Sequence, residues 1–228
     1  MTARLGVHLL DQPLKTLVQC DFDGTVTVED VSFMLLDRFA EGDWRCWEQR
    51  YAAGEVSVGR FNSAVFRMVR ADRETMLAHV RNRVVIRPGF HEFVRFCQEE
   101  QHHRLVIASN GLDFYVQHIL EGLGMSWVEA HAARTTFLPG RLQVKYVGPD
   151  GTVLDHGFKT AYTRRFLEQG YRVLYIGDGA SDFEPASLCH RVFAVADAGS
   201  LLTRCRKAGV ACEPFSSFHD VIRAMRCG

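Results

Sequence analysis

Short apolar runs alternate along the chain with stretches whose apolar residues recur at helical spacing. The runs at residues 17–20, 105–108, 127–130, 173–176 and 192–195 are each about the length of a strand and mostly apolar on both faces. That pattern predicts strands buried in a parallel sheet rather than half-exposed antiparallel ones. Helical periodicity fills the gaps at 28–39, 90–100, 112–120, 161–169 and 183–189, and covers 200–207 and 217–225 near the end. Asp30 or Glu29 would serve the amino end of the first helix, and Arg87-Pro88-Gly89 punctuates the entry to the second. Such alternation implies an α/β fold: a doubly wound, Rossmann-like parallel sheet with helices on both faces.

Two regions break the alternation. From 44 to 84 arginine and aromatic residues are frequent and no strand is evident. Helices are expected over 44–51, 58–69 and 73–80, with Ser57 capping the second. The expected division is therefore a core of residues 1–30 and 85–228, with a small helical cap of 31–84 inserted. Residues 137–142 and 144–147 read as arms of an antiparallel ribbon, and Pro149-Asp150-Gly151 as a turn.

Composition narrows the classes. The 228 residues suit one large domain, or a core with a small insertion, with 47% apolar and 24% charged residues. Lysine plus arginine and aspartate plus glutamate balance at 27 each, so no global field favours nucleic acid or a membrane surface. The 7 cysteines are scattered and include no C-x-x-C pair, as expected of reduced thiols in the cytoplasm. No apolar run reaches the length of a membrane span, and residues 1–10 lack the apolar segment and cleavage site of a signal peptide.

The chemistry concentrates behind the strands. The first run ends in Cys20-Asp21-Phe22-Asp23-Gly24-Thr25-Val26-Thr27. Asp21 and Asp23 are two apart, so in an ideal strand they share a face. Carboxylates so crowded repel unless a cation or a shared proton relieves them, and hard oxygen ligands favour magnesium. The 105–108 run delivers Ser109-Asn110-Gly111, and the 173–176 run delivers Gly177-Asp178-Gly179-Ala180-Ser181-Asp182; Lys159 arrives near a helix start. Singly, each has an ordinary explanation as a cap, a turn or a solvated lysine. Together, behind strands whose carboxyl ends converge on one edge, they form a candidate site.

These segments resemble the motifs of the haloacid dehalogenase superfamily of aspartate-nucleophile phosphatases. The helical insert after the first motif resembles the cap of its phosphoserine-phosphatase-like branch. Residues 20–25, 88–94 and 215–221 are similar to the methionine-salvage phosphatases of 2-hydroxy-3-keto-5-methylthiopentenyl-1-phosphate. The resemblance implies a magnesium-dependent phosphatase of small-metabolite phosphomonoesters. Asp21 would be the nucleophile that becomes an aspartyl phosphate, and Asp23 the acid and base. Ser109, Asn110, Lys159 and Gly24 would bind phosphate. Magnesium would be held by Asp21, the Asp23 carbonyl and Asp178, and Asp182 would support Lys159 or a metal-bound water. Asp30 occupies the position of an acid that contacts substrate. The implied partner is a small phosphate ester, with no nucleic acid or membrane, for a monomer or homodimer.

Departures from the pattern leave the substrate open. Val65 falls where phosphoserine phosphatases carry a carboxylate-binding arginine, with Arg60 and Arg67 nearby. The methionine-salvage enzymes have Ser-Gly-Gly in place of Ser109-Asn110-Gly111, and residues 148–157 hold only His156 of their cysteine- and histidine-rich stretch. Phosphoserine hydrolysis and phosphoryl transfer to another acceptor are alternatives of the same chemistry. A phospho-signalling module is a third, but receivers lack the Asp-x-Asp-Gly-Thr signature. Among smaller signals, His91, His102, His103 and His118 have no metal-ligand spacing. Arginines 60, 67, 70, 73, 81 and 83 fit either a basic rim or a solvated face. Cys20 is expected to pack away from the site, and Trp44, Trp47, Phe61 and Phe66 to build the cap core, with Phe33 and Met34 as candidates to face the cleft.

Overall fold

The computed structural model describes residues 15–99, 103–197 and 199–227. The expectations for residues 1–10, Glu100 and His102 lie outside them. Strands β1 (Thr16–Cys20), β2 (His103–Leu112), β3 (Glu129–Leu138), β4 (Arg141–Val147), β5 (Val153–Leu154), β6 (Arg172–Gly177), β7 (Arg191–Val195) and β8 (Glu213–Phe215) form one sheet. Its order is β5-β4-β3-β2-β1-β6-β7-β8. Pairing is parallel from β3 through β8 and antiparallel for β4 and β5.

The helices are α1 (Val31–Phe39), α2 (Arg45–Ala52), α3 (Val58–Val65), α4 (Arg73–Arg81), α5 (Phe90–Glu99), α6 (Asp113–Gly122), α7 (Phe158–Glu168), α8 (Phe183–Ser187), α9 (Leu201–Ala208) and α10 (Phe218–Arg226). Asp30 caps α1 by accepting from the Phe33 amide at 2.8 Å, and Ser57 caps α3 by accepting from Arg60 at 3.1 Å. The helix expected over 58–69 is shorter, because residues 66–68 tighten into a 3₁₀ turn.

Alternation along β7 separates two apolar layers. Val192 and Ala194 pack with Tyr175, Leu201 and Cys205, whereas Phe193 and Val195 join the larger core. In that larger core Phe218 of α10 lies 5.1 Å from both Phe90 and Phe93 of α5, measured between ring centres. Phe218 is fully buried, so truncation to alanine would cost about 3–5 kcal/mol.

Two expectations need correction. The 105–108 run does not stop at Ser109: β2 continues to Leu112, with an irregularity in its pairing to β3 between Ala108 and Leu112. The strand expected over 127–130 begins only at Glu129 and runs on to Leu138 as β3, so the expected first arm, 137–142, is split by the turn at Pro139-Gly140 between β3 and β4. The short edge strand β8 had no apolar run to announce it.

The segment carrying α1–α4 leaves and re-enters beside the sheet. Its two ends run together, with Val28 N donating to Val85 O at 2.9 Å and Arg87 N to Val26 O at 2.8 Å. Helix α3 lies against the end of the β4–β5 ribbon. Gly59 N donates to Asp155 O at 3.1 Å, and a β-carbon at Gly59 would stand 2.6 Å from that oxygen. Only glycine permits so close an approach.

Candidate active site

In the parallel part of the sheet the chain runs outward from β1 to β2 and β3 on one side, and through β6, β7 and β8 on the other. Such a switch of direction opens a crevice at the carboxyl ends. The crevice is a cavity of about 220 Å³ whose lining includes Asp21, Asp23, Ser109, Asn110, Lys159 and Asp178. Every strand-end cluster read from the sequence therefore meets in one place.

Asp21 and Asp23 do not share a strand face. Strand β1 ends at Cys20, and both acids sit in the turn beyond it. The turn is held from behind by Arg87, whose guanidinium donates to Thr25 O at 2.8 Å and to Gly24 O at 2.7 Å. Gly24 has φ +76, and a β-carbon there would lie 2.6 Å from an Asp178 oxygen. Its glycine is thus required both by the backbone and by the approach of Asp178.

The two carboxylates face different partners. Asp21 Oδ1 accepts from Lys159 Nζ at 2.6 Å, and Thr25 Oγ1 reaches Asp21 Oδ2 at 3.4 Å and Asp178 Oδ1 at 3.3 Å. Asp23 Oδ1 accepts from Val31 N at 3.0 Å; its Oδ2 accepts from Tyr115 Oη at 2.7 Å and Ser109 Oγ at 3.3 Å. Lys159 is buried and also donates to Asp182 Oδ1 at 2.6 Å. Behind it, Gln19 Nε2 donates to Lys159 O at 3.0 Å, and Thr163 Oγ1 donates to Gln19 Oε1 at 2.7 Å.

Burial and like charge set the electrostatics. Burial pushes the Asp21 carboxyl up, Asp182 adds to the rise, and Lys159 opposes it. Burial raises Asp23 to about 6 against the Tyr115 hydrogen bond, and raises Asp178 to about 6 with help from the charge of Asp182. Burial opposes the Lys159 ammonium, but Asp182 and Asp21 outweigh it and its pKa is raised. Three acids thus surround one cation, an arrangement that favours a further positive charge.

Carboxylate oxygens of Asp21, Asp178 and Asp182 lie within 4.8 Å of one another. Asp182 is already engaged: Oδ1 accepts from Lys159 and Tyr175, and Oδ2 from the amides of Asp178 at 3.1 Å and Gly179 at 2.8 Å. That leaves Asp21 Oδ2 and the Asp178 carboxylate, which meet the Thr25 hydroxyl at 3.4 and 3.3 Å, as the oxygens placed to hold a cation. An all-oxygen pair suits a hard divalent ion.

Other expected residues fall unevenly. Asp30 lines the cavity, and burial followed by the Asp23 charge raises it to about 7. Phe33 lines the cavity too, but Met34 does not; it lines a separate outer groove. Phe61, expected only in the packing core, is buried and also borders the cavity, stacked 5.3 Å from Tyr51. None of the arginines at 60, 67, 70, 73, 81 and 83 lines it, so no basic rim forms there. Val65 is fully buried, and Cys20 packs in the core.

Sequence reading missed Arg87, Tyr115, Tyr51 and Asn62. Asn62 had a signal: it is a polar residue on the same buried face of α3 as Phe61 and Val65. Its Nδ2 donates to Asn110 O at 3.0 Å and contacts the Tyr146 hydroxyl. Tyr115 had none, since a tyrosine inside an amphipathic helix reads as packing.

Comparison with known proteins agrees with this geometry. The family model described as haloacid dehalogenase-like hydrolase matches residues 18–187. A 2-hydroxy-3-keto-5-methylthiopentenyl-1-phosphate phosphatase of Bacillus mycoides (strain KBAB4) is 28% identical over 213 residues, covering 92% of this chain and 95% of that protein. A protein of the same name from Brevibacillus brevis (strain 47) is 27% identical, covering 93% and 96%. A solved structure described as a phospho-aspartyl intermediate analogue of phosphoserine phosphatase has the same fold, with a TM-score of 0.70 at 17% identity, covering 93% of this chain and 99% of that one. With the family model spanning most of its length, the chain belongs to the haloacid dehalogenase-like hydrolase family.

Proposed function

We propose that the protein is a magnesium-dependent phosphatase that hydrolyses a small phosphomonoester through an aspartyl phosphate on Asp21. The observation that carries this reading is the pairing of two acids with opposite surroundings. Asp21 accepts from the Lys159 ammonium, which opposes the rise that burial imposes on it. Asp23 accepts from the uncharged Val31 amide and the Tyr115 and Ser109 hydroxyls, and burial raises it to about 6, where it can hold and release a proton.

In the first step an Asp21 oxygen bonds to phosphorus as the bond to the ester oxygen breaks. Asp23 delivers its proton to the departing alcohol. In the second, Asp23 takes a proton from water, whose oxygen attacks phosphorus and releases Asp21 with phosphate. Lys159 and Ser109, with the amides of Gly24 and Asn110, bind the phosphoryl oxygens. Lys159 lies on Asp21 and Asp182, and Ser109 bonds to Asp23, so both exchange partners when the ester binds. Asp182 orients Lys159. Asp21, Asp178 and the Asp23 carbonyl would hold magnesium, which would supply charge neutralisation at the phosphoryl oxygens. Residues 31–84 act as the cap over residues 1–30 and 85–228, and close the site to bulk water.

The cavity is also bordered by Phe33, Tyr51, Val58, Phe61 and Asn62, and among the described residues that line it Lys159 is the only lysine or arginine. That lining supports an uncharged alcohol, such as the methionine-salvage ester named for the relatives, over phosphoserine with its carboxylate. A cytoplasmic site of action fits the seven cysteines, all of them free thiols.

The test is turnover of p-nitrophenyl phosphate with magnesium by wild type and Asp21→Asn. The variant should lose activity on the order of 10⁴-fold or more, as when other enzymes lose their nucleophile. Full activity in repurified Asp21→Asn would overturn the assigned nucleophile.

A further inference from the structure

Asp23 is gripped from one side by a group outside the phosphatase motifs. Tyr115, from α6, is fully buried and its hydroxyl donates to Asp23 Oδ2 at 2.7 Å. The same hydroxyl lies 2.8 Å from Ser32 Oγ on α1. On its other oxygen Asp23 accepts from Val31 N, the first residue of that helix, at 3.0 Å. Asp23 is therefore bonded directly to α1 through Oδ1 and indirectly through the Tyr115–Ser32 pair on Oδ2.

Space has been left for this contact. A β-carbon at Gly111 would stand 1.9 Å from the Tyr115 hydroxyl and 2.2 Å from Asp23 Oδ2. Any side chain at 111 would push the two apart. Gly111 N in turn donates to Ser109 Oγ at 2.9 Å, so the glycine that admits the tyrosine also orients the serine that touches Asp23. The α1 contacts alone do not fix a carboxylate, which rotates about χ2 over a broad range; anchoring both oxygens removes that freedom.

We propose that Tyr115, braced by Ser32, is a positioning residue that sets the orientation in which Asp23 delivers its proton to the leaving alcohol, and that it ties this orientation to the placement of α1. The proposal rests on the phosphatase reading and adds a residue to it. A group acting through the general acid matters most when the leaving alcohol needs a proton. An alkyl phosphate expels a strongly basic alkoxide, whereas p-nitrophenolate departs as a stable anion. Well-placed proton transfer accounts for about 10²–10⁴-fold in rate, and loosening the acid forfeits part of it.

The experiment compares kcat/KM, which reports the steps through alcohol departure, for a simple alkyl phosphate and p-nitrophenyl phosphate in wild type, Tyr115→Phe and Ser32→Ala. In Tyr115→Phe the alkyl phosphate should fall about 10-fold or more and p-nitrophenyl phosphate only about two- to threefold. Ser32→Ala, which keeps the tyrosine bond but removes its brace, should shift the ratio in the same direction by less, and it carries the test if Tyr115→Phe does not fold. Equal losses on both substrates, or no loss on either, would overturn the proposal. Failure of wild type to turn over p-nitrophenyl phosphate would instead overturn the phosphatase reading.

Discussion

At the amino edge of the sheet, Arg104 near the start of β2 pairs with Glu129 at the start of β3, and Arg191 of β7 pairs with Glu213 of β8. Each of these two arginines meets a carboxylate in a partly exposed position. At the carboxyl edge, Asp21, Asp178 and Asp182 crowd round Lys159, and Asp21, Asp182 and Lys159 are almost wholly buried. Matched surface pairs contribute little and demand nothing further. A buried cluster with surplus negative charge is costly unless something else enters it. The imbalance, rather than the number of charges, distinguishes the carboxyl edge from the amino one.

Breaking the buried cluster should give the largest effect. Lys159→Met would leave Asp21 and Asp182 buried without their ammonium, at a cost of about 3–5 kcal/mol in unfolding free energy. With the phosphoryl-binding role proposed for Lys159, the same variant should also lower kcat by about 10²–10³-fold. Urea unfolding measured beside turnover separates the two losses. A stability change below about 1 kcal/mol, the size expected of an exposed pair, would put this edge on the same footing as the other.

The contrast explains what the sequence disclosed. Asp21, Lys159 and Asp178 were legible because each lies just past a strand or at a helix start, where strand order alone brings them together. Asp182 was legible as a member of the same loop. The helices of 31–84 and the Ser57 cap were legible from periodicity. Tyr115, Asn62 and Arg87 were not, because each acts through a contact across the fold: with Asp23, with Asn110 O and with Gly24 O. Phe61 shows the same limit from the apolar side. An aromatic residue reads as core whether its second face meets another ring or a cavity.

A metal should sharpen the comparison. If the surplus charge at the carboxyl edge is there to hold magnesium, saturating magnesium should stabilise the folded protein, by about 2.7 kcal/mol at 100 times Kd. Thermal unfolding with magnesium and with chelator reads this directly. Asp178→Asn should abolish the magnesium-dependent rise, and it should raise stability in chelator, because it removes one of the repelling buried charges. An undiminished rise in Asp178→Asn would place the ion elsewhere.

The smallest effect belongs to the amino edge. The hydrogen bond with His131 lowers Glu129, burial opposes this, and Arg104 lowers it further, from the ordinary 4.5 to about 2. A carboxylate depressed in the folded state contributes stability that is fully present above its unfolded pKa and is lost as pH falls through the folded value. The window is therefore pH 4.5 down to about 2, and the contribution is constant at neutral pH. Because Glu129 is about a third exposed, solvent screening holds that contribution to about 0.2–1 kcal/mol. Glu129→Gln should thus lower stability by that amount at pH 7, with the difference from wild type vanishing towards pH 2. Urea unfolding across pH measures it, while turnover and the magnesium response should match wild type. A loss of several kcal/mol would show that charge at this edge is as consequential as at the other, and the distinction between matched and unmatched edges would fail.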